Sequence, residues 1–170
     1  MRMENARENT CCFTGHRPNA LPWRYGKTDP SYVLFKYRVR VEIGKAIENG
    51  YTHFISGMAQ GVDMICARIV LDYKKEKPSI TLECAIPCRG QENGWSAQAI
   101  AEYRDIIKSA DKVTMVSDQP YYEGCMRVRN EYMVKRSSLL IAGFNGKVGG
   151  TKQTVSLAKK MGLTIKIINP

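Results

Sequence analysis

The chain predicts an α/β protein, a Rossmann-like three-layer sandwich with a mostly parallel sheet of about six strands and helices on both faces. Three observations predict it. Short β-prone apolar runs alternate with segments of helical period, the pattern of a parallel sheet covered on both sides. Glycines close helical segments, as Gly50 and Gly162 do, where a left-handed residue ends a helix. Glycine-rich turns join strand to helix, above all Gly149-Gly150-Thr151.

The elements follow in order. Thr10–Thr14 is the first strand, and the helix Tyr32–Asn49 after it keeps Val39, Ile43 and Ile47 on one face. The strand His53–Ser56 leads into the helix Val62–Lys75. Thr81–Ile86, the helix Ser96–Ser109, Lys112–Val116 and the helix Met126–Lys135 continue the alternation. Ser138–Phe144 is an apolar run of the kind that makes a buried strand. Val155, Leu157, Ala158 and Met161 then give the helix Thr151–Met161 its period, and Thr164–Ile168 is the last strand.

At 170 residues the chain has the size of one domain. A polar tail is expected at residues 1–9 and a single domain at 10–170, with no linker or repeat. The start carries no apolar signal region, and no segment approaches the roughly 20 apolar residues of a membrane span, so a cytoplasmic location without membrane contact is expected. Cys11, Cys12, Cys66 and Cys84 sit in apolar runs and are expected to be reduced. Cys84 and Cys88 have a zinc-like spacing but no second pair, so no metal is predicted. The net charge of +10 suits an anionic partner but is spread along the chain rather than gathered in a dense stripe. Nucleic acid is therefore a candidate partner beside a small molecule, and a homo-oligomer is compatible with the fold.

The junctions carry the chemistry. Gly149-Gly150-Thr151, between a buried strand and a helix, leaves backbone N–H groups aimed at one point, which favours a phosphate. After the first strand, Gly15, His16 and Arg17 allow close backbone approach and a guanidinium fork. After the second, Ser56, Gly57, Met58, Gln60, Gly61 and Asp63 form a glycine-bounded turn into a helix, a second anion cradle. Asp63 falls in the first helical turn, where the dipole favours a carboxylate. Arg127 and Arg129, two apart, cannot share a helix face, so at most one points inward. Trp95 ends a polar loop and is a base-stacking candidate, with packing on its own helix as the alternative. A strand order of 3-2-1-4-5-6 would put the loops after strands one and four beside the binding crevice. The Walker pattern, the dinucleotide fingerprint Gly-x-Gly-x-x-Gly and any hydrolytic triad are absent from the sequence.

Taken together, Cys12-Phe13-Thr14-Gly15-His16-Arg17-Pro18, Ser56 through Asp63, Arg129-Asn130 and Gly149-Gly150-Thr151 occur in order, one at each of four strand–helix junctions. This set resembles the YpsA-like branch of the SLOG superfamily, the relatives of DNA-processing protein A and the LOG proteins, from roughly Thr10 to the C-terminus. The resemblance implies a domain that binds a nucleotide or nucleotide-derived ligand. Its relatives include LOG hydrolases, which release a base from a nucleoside monophosphate, and DNA-processing protein A, which binds single-stranded DNA. LOG enzymes carry a glutamate three residues after the threonine of their glycine loop, paired with an arginine. Arg129 matches that arginine, but Thr154 stands at the glutamate position and the loop is one residue shorter. Threonine is not a general base. The expectation is a binding or sensing domain rather than an enzyme, with Arg129 and Glu131 as the residues a hydrolase would use. The ligand would be nucleotide-like or ADP-ribose-like with no required cofactor. It would be held by the loops above, Asn130 and a hydroxyl of Thr151 or Thr154.

Overall fold

The computed structural model describes residues 6–170, so the first five residues of the expected polar tail lie outside the described residues. Six strands alternate with helices: β1 (Thr10–Gly15), β2 (His53–Ser56), β3 (Thr81–Ile86), β4 (Lys112–Met115), β5 (Leu139–Gly143) and β6 (Thr164–Ile168). The helices among them are α1 (Pro30–Glu48), α2 (Val62–Glu76), α3 (Ala97–Ser109), α4 (Cys125–Lys135) and α5 (Gly150–Lys160). Local chemistry sets the starts. Asp29 caps α1 by accepting the Ser31 N–H at 2.8 Å with Pro30 as first residue, and Ser96 caps α3 by accepting the Ala99 N–H at 3.2 Å.

The sheet is wholly parallel, with order β4-β3-β2-β1-β5-β6. This corrects the order 3-2-1-4-5-6. β4 does not cross to the centre; it extends the first half of the sheet, pairing Glu83 with Lys112, and stands as an edge with Lys112, Val113 and Met115 exposed. β5 is buried throughout and takes the central place against β1, from Cys11 opposite Leu139 to Gly15 opposite Gly143. The more apolar strand occupies the site with neighbours on both edges and helices on both faces. The order therefore reverses between β1 and β5, and the loops after those two strands border the crevice.

Helices α1, α2 and α3 cover one face over Phe13, Phe54 and Leu82, and α4 and α5 cover the other over Cys12, Ile55 and Leu140. Phe13 and Phe54 stack at 6.1 Å. Each such buried apolar side chain contributes roughly 2 kcal/mol. All six cysteines are buried thiols, and burial pushes Cys12 and Cys84 up to about 12, so neither is a ready nucleophile. Arg7 donates to the Ser137 and Met161 carbonyls, both at 3.1 Å, fastening the start of the described chain to the ends of α4 and α5. Among the described residues no helix is long and apolar enough to cross a membrane.

Candidate functional site

At the reversal between β1 and β5 lies a cleft of about 220 Å³. Its floor is Thr14 and Gly15 at the end of β1 with His16 after them; its walls are Arg17, Ala59 and Asp63 on one side and Met126, Arg129 and Asn130 on the other. Gly150 and Thr151 close it. All four junctions bring residues to one place, and the Gly149-Gly150-Thr151 loop faces the β1 loop because β5 pairs with β1.

The floor is locked by close contact. Val62, first residue of α2, inserts its methyls against the ends of both central strands: a Cβ on Gly15 would stand 2.5 Å from Val62 Cγ1, and one on Gly143 2.7 Å from Val62 Cγ2. Gly61 adopts φ 103°, and a Cβ there would stand 2.5 Å from the His16 carbonyl oxygen, so only glycine fits. His16 Nε2 meets Asn145 Oδ1 at 2.8 Å, clasping the β1 loop to the β5 loop.

At the α2 N-terminus two donors of the glycine turn are used locally: the Val62 N–H donates to the His16 carbonyl at 3.3 Å, and Asp63 Oδ2 accepts the Ala59 N–H at 3.2 Å. Met58 makes this geometry by entering the left-handed region at φ 58°, its N–H donating to Ser56 Oγ at 3.2 Å. Ser56 Oγ in turn donates to the Asp63 carbonyl at 2.9 Å. Ser56, Gly57 and Met58 therefore build the wall from behind, and Gln60 lines a neighbouring cavity.

Arg129 is the inward-facing arginine, 3% exposed, whereas Arg127 lies in solvent and pairs with Glu131 at 3.5 Å. The Arg129 guanidinium donates to the Gly57 carbonyl and, through Nε, to Asn130 Oδ1 at 2.8 Å. Gly57 is glycine for that reason: a Cβ would stand 2.5 Å from Arg129 Cζ. Among the described residues no carboxylate lies within ion-pair distance of Arg129. Burial pushes its guanidinium below its ordinary value. Across the cleft Asp63 is 5% exposed with Oδ1 unpartnered. Burial pushes its carboxyl up, against the pull of Arg129, the Ala59 N–H and Arg17.

At α5 the first helical hydrogen bond from the N-terminus is Gln153 N–H to the Gly149 carbonyl, so the N–H groups of Gly150, Thr151 and Lys152 precede the ladder and face the cleft end. Thr154 Oγ1 donates back to the Gly150 carbonyl at 3.0 Å and is 2% exposed, which leaves Thr151 as the hydroxyl at the rim. Trp95 is not brought to the cleft: its ring packs edge-on against Tyr103 of α3 at 5.4 Å. Its loop braces the cleft from outside, Gln91 Nε2 donating to the Gly57 carbonyl at 3.3 Å. Thr14, Ala59 and Met126 line the cleft without having been singled out in the sequence. Thr14 and Ala59 lie inside the glycine motifs; Met126 had no signal, since its place depends on the pitch of α4.

A family model, YpsA (the YspA SLOG family), matches residues 11–168. A UPF0398 protein of Halalkalibacterium halodurans is 33% identical over 117 residues, 67% of this chain and 61% of that protein's length. The SPbeta prophage-derived protein YoqJ of Bacillus subtilis is 30% identical over 145 residues, covering 78% of this chain and 84% of YoqJ. A solved structure of DNA processing protein A from Helicobacter pylori, described for its single-stranded DNA binding mode, superposes with a TM-score of 0.64. That likeness is one of fold, at 15% identity over all of this chain and 69% of the other.

Proposed function

This chain belongs to the YpsA SLOG family, and we propose that its cleft binds a phosphorylated, nucleotide-derived ligand in a sensing or regulatory role. One observation carries the reading: Arg129 is a buried cation without a carboxylate at ion-pair distance among the described residues, opening on a cleft that ends at the free N–H groups of a helix. Burying a charge unpaired costs several kcal/mol, and a phosphate on Arg129 and α5 offsets that cost. The orphan oxygen Oδ1 of Asp63 supplies the complementary acceptor, suited to a ribose hydroxyl beside that phosphate. Arg17, exposed at the rim, adds charge at the entrance.

The test is a titration of the full chain with AMP, ADP-ribose, NAD and cyclic nucleotides, followed by thermal unfolding. A ligand at one hundred times its Kd should stabilise the fold by about 2.7 kcal/mol. Arg129→Gln should weaken the best of them by at least about tenfold, roughly 1.4 kcal/mol. A well-folded sample that shifts with none of these compounds removes the reading.

Asp63 favours a second reading, N-glycosidic hydrolysis of a nucleoside monophosphate, because it places one carboxylate in the cleft across from Arg129, where Glu131 is turned away. Incubation with the common nucleoside monophosphates decides it by release of free base. Single-stranded nucleic acid, named for the Helicobacter pylori protein, is the third candidate and rests here on the net charge of +10. Such binding should weaken steeply with salt.

A further inference from the structure

Beyond the ridge formed by Pro18 and Gly61 lies a second, larger cavity of about 300 Å³, between the loop that precedes α1 and the flanks of α2 and α3. The two cavities share one wall. Arg17 and Ala59 face the first, and their chain neighbours Pro18, Gln60 and Gly61 face the second. The geometry points to a site for a second nucleotide unit, an aromatic ring with its own phosphate, belonging to a ligand whose first phosphate lies on Arg129. This deepens the phosphate-cleft reading and rests on it.

The lining fits that chemistry in three ways. Its inner end is aromatic: Trp23 is anchored on Phe35 at 5.0 Å and meets Tyr32 edge-on at 5.8 Å, and Tyr25 stands 64% exposed at the mouth. A flat ring can stack there at a gain of about 1–3 kcal/mol. Gln60 and Gln98 carry amides without hydrogen-bond partners among the described residues, and amides match the paired donors and acceptors of a base edge. The charge is unbalanced: Lys27 is taken by Glu102 at 2.7 Å and Arg68 by Asp105 at 2.8 Å, while Arg24 and Lys36 have no carboxylate partner among the described residues. Arg24 is also held at φ 48°, in the left-handed region that only a small share of non-glycine residues occupy.

The experiment is calorimetric titration of the full chain with AMP, ADP-ribose and the 5′-phosphorylated dinucleotide pApA. It is repeated on Lys36→Glu and Tyr25→Ala, both at exposed positions, with the fold of each checked by thermal melting. The wild type should bind a two-unit ligand at least about tenfold more tightly than AMP. Both variants should lose that gain while keeping AMP affinity within about twofold. ADP-ribose tighter than pApA assigns the cavity to a free pyrophosphate-linked ligand; the reverse assigns it to neighbouring nucleotides of a strand. Equal affinity for all three probes, or an equal loss of AMP in Lys36→Glu, overturns the second site and leaves the cleft standing. No AMP binding in the wild type removes the cleft reading, and the second site with it.

Discussion

Two buried carboxylates, one on β3 and one in the first turn of α2, have been given contrary surroundings. Glu83, on β3, is saturated: Oε2 meets His53 Nε2 at 2.8 Å, while Oε1 accepts the Tyr132 hydroxyl at 2.6 Å and the Thr114 hydroxyl at 2.7 Å. Lys112 stands 3.6 Å away. Burial alone would raise its carboxyl, but these donors hold it down at about 2. Asp63, beside the cleft, keeps one oxygen without any partner, and burial pushes it up. Burial is common to both, so burial does not mark a site. The unspent hydrogen-bonding capacity does: the saturated group ties β2, β3, β4 and α4 together, and the unsaturated one waits on a cavity.

The comparison breaks most readily at Glu83. Glu83→Ala should cost about 3 kcal/mol, a drop in Tm of roughly 6–12 °C, because it strands three donors. The sign with pH follows from its depressed value. The stability contributed by Glu83 is complete above the ordinary carboxylate value of 4.5 and is lost as pH falls toward about 2. Urea unfolding across that window should show the loss in the wild type and a flatter profile in the variant. A variant as stable as wild type at pH 7 would show that the cluster contributes nothing.

Asp63→Asn sharpens the contrast by moving stability the other way. A carboxyl raised in the folded state makes stability fall as pH climbs above its ordinary value of 3.8. The amide should therefore gain about 1 kcal/mol at neutral pH. It should also lower AMP affinity about tenfold, since a donor replaces the acceptor offered to the ribose. Loss of stability in this variant would place Asp63 with Glu83 as a structural group.

Gly150→Ala isolates function from folding. A Cβ there meets nothing within 4 Å, so the stability should stay within about 0.5 kcal/mol. AMP affinity should fall several-fold because the methyl stands at the helix end that the phosphate approaches. Arg127→Ala is the smallest effect: the pair with Glu131 is exposed, so stability should change by less than about 0.5 kcal/mol and AMP binding by less than about twofold. A larger loss of AMP binding in Arg127→Ala would reverse the assignment of the two arginines.

What could be read beforehand was whatever depends on period and spacing. The six strands, the helices and the rule that at most one of Arg127 and Arg129 points inward follow from which residues share a face, and the resemblance singled out Arg129. The place of β4 did not follow, because order is settled by competition between strands: Leu139–Gly143 outbids Lys112–Met115 for burial on both faces. The orphan oxygen of Asp63 was also out of reach, since it depends on the left-handed turn at Met58. The second cavity depends on where the residues before α1 lie against α2 and α3, which no periodicity reports.

The wedge of Val62 between Gly15 and Gly143 has a consequence for how this scaffold can diversify. With the sheet ends fixed by these three residues, the surrounding loops are released from holding them together. The loop 117–124 can then change length and composition, and the loop 18–29 can do so around its core residues Leu21 and Trp23 and the cap Asp29. A graft of new loops at those two places, with these three residues and Gly15, Val62 and Gly143 retained, should yield folded proteins of altered ligand preference.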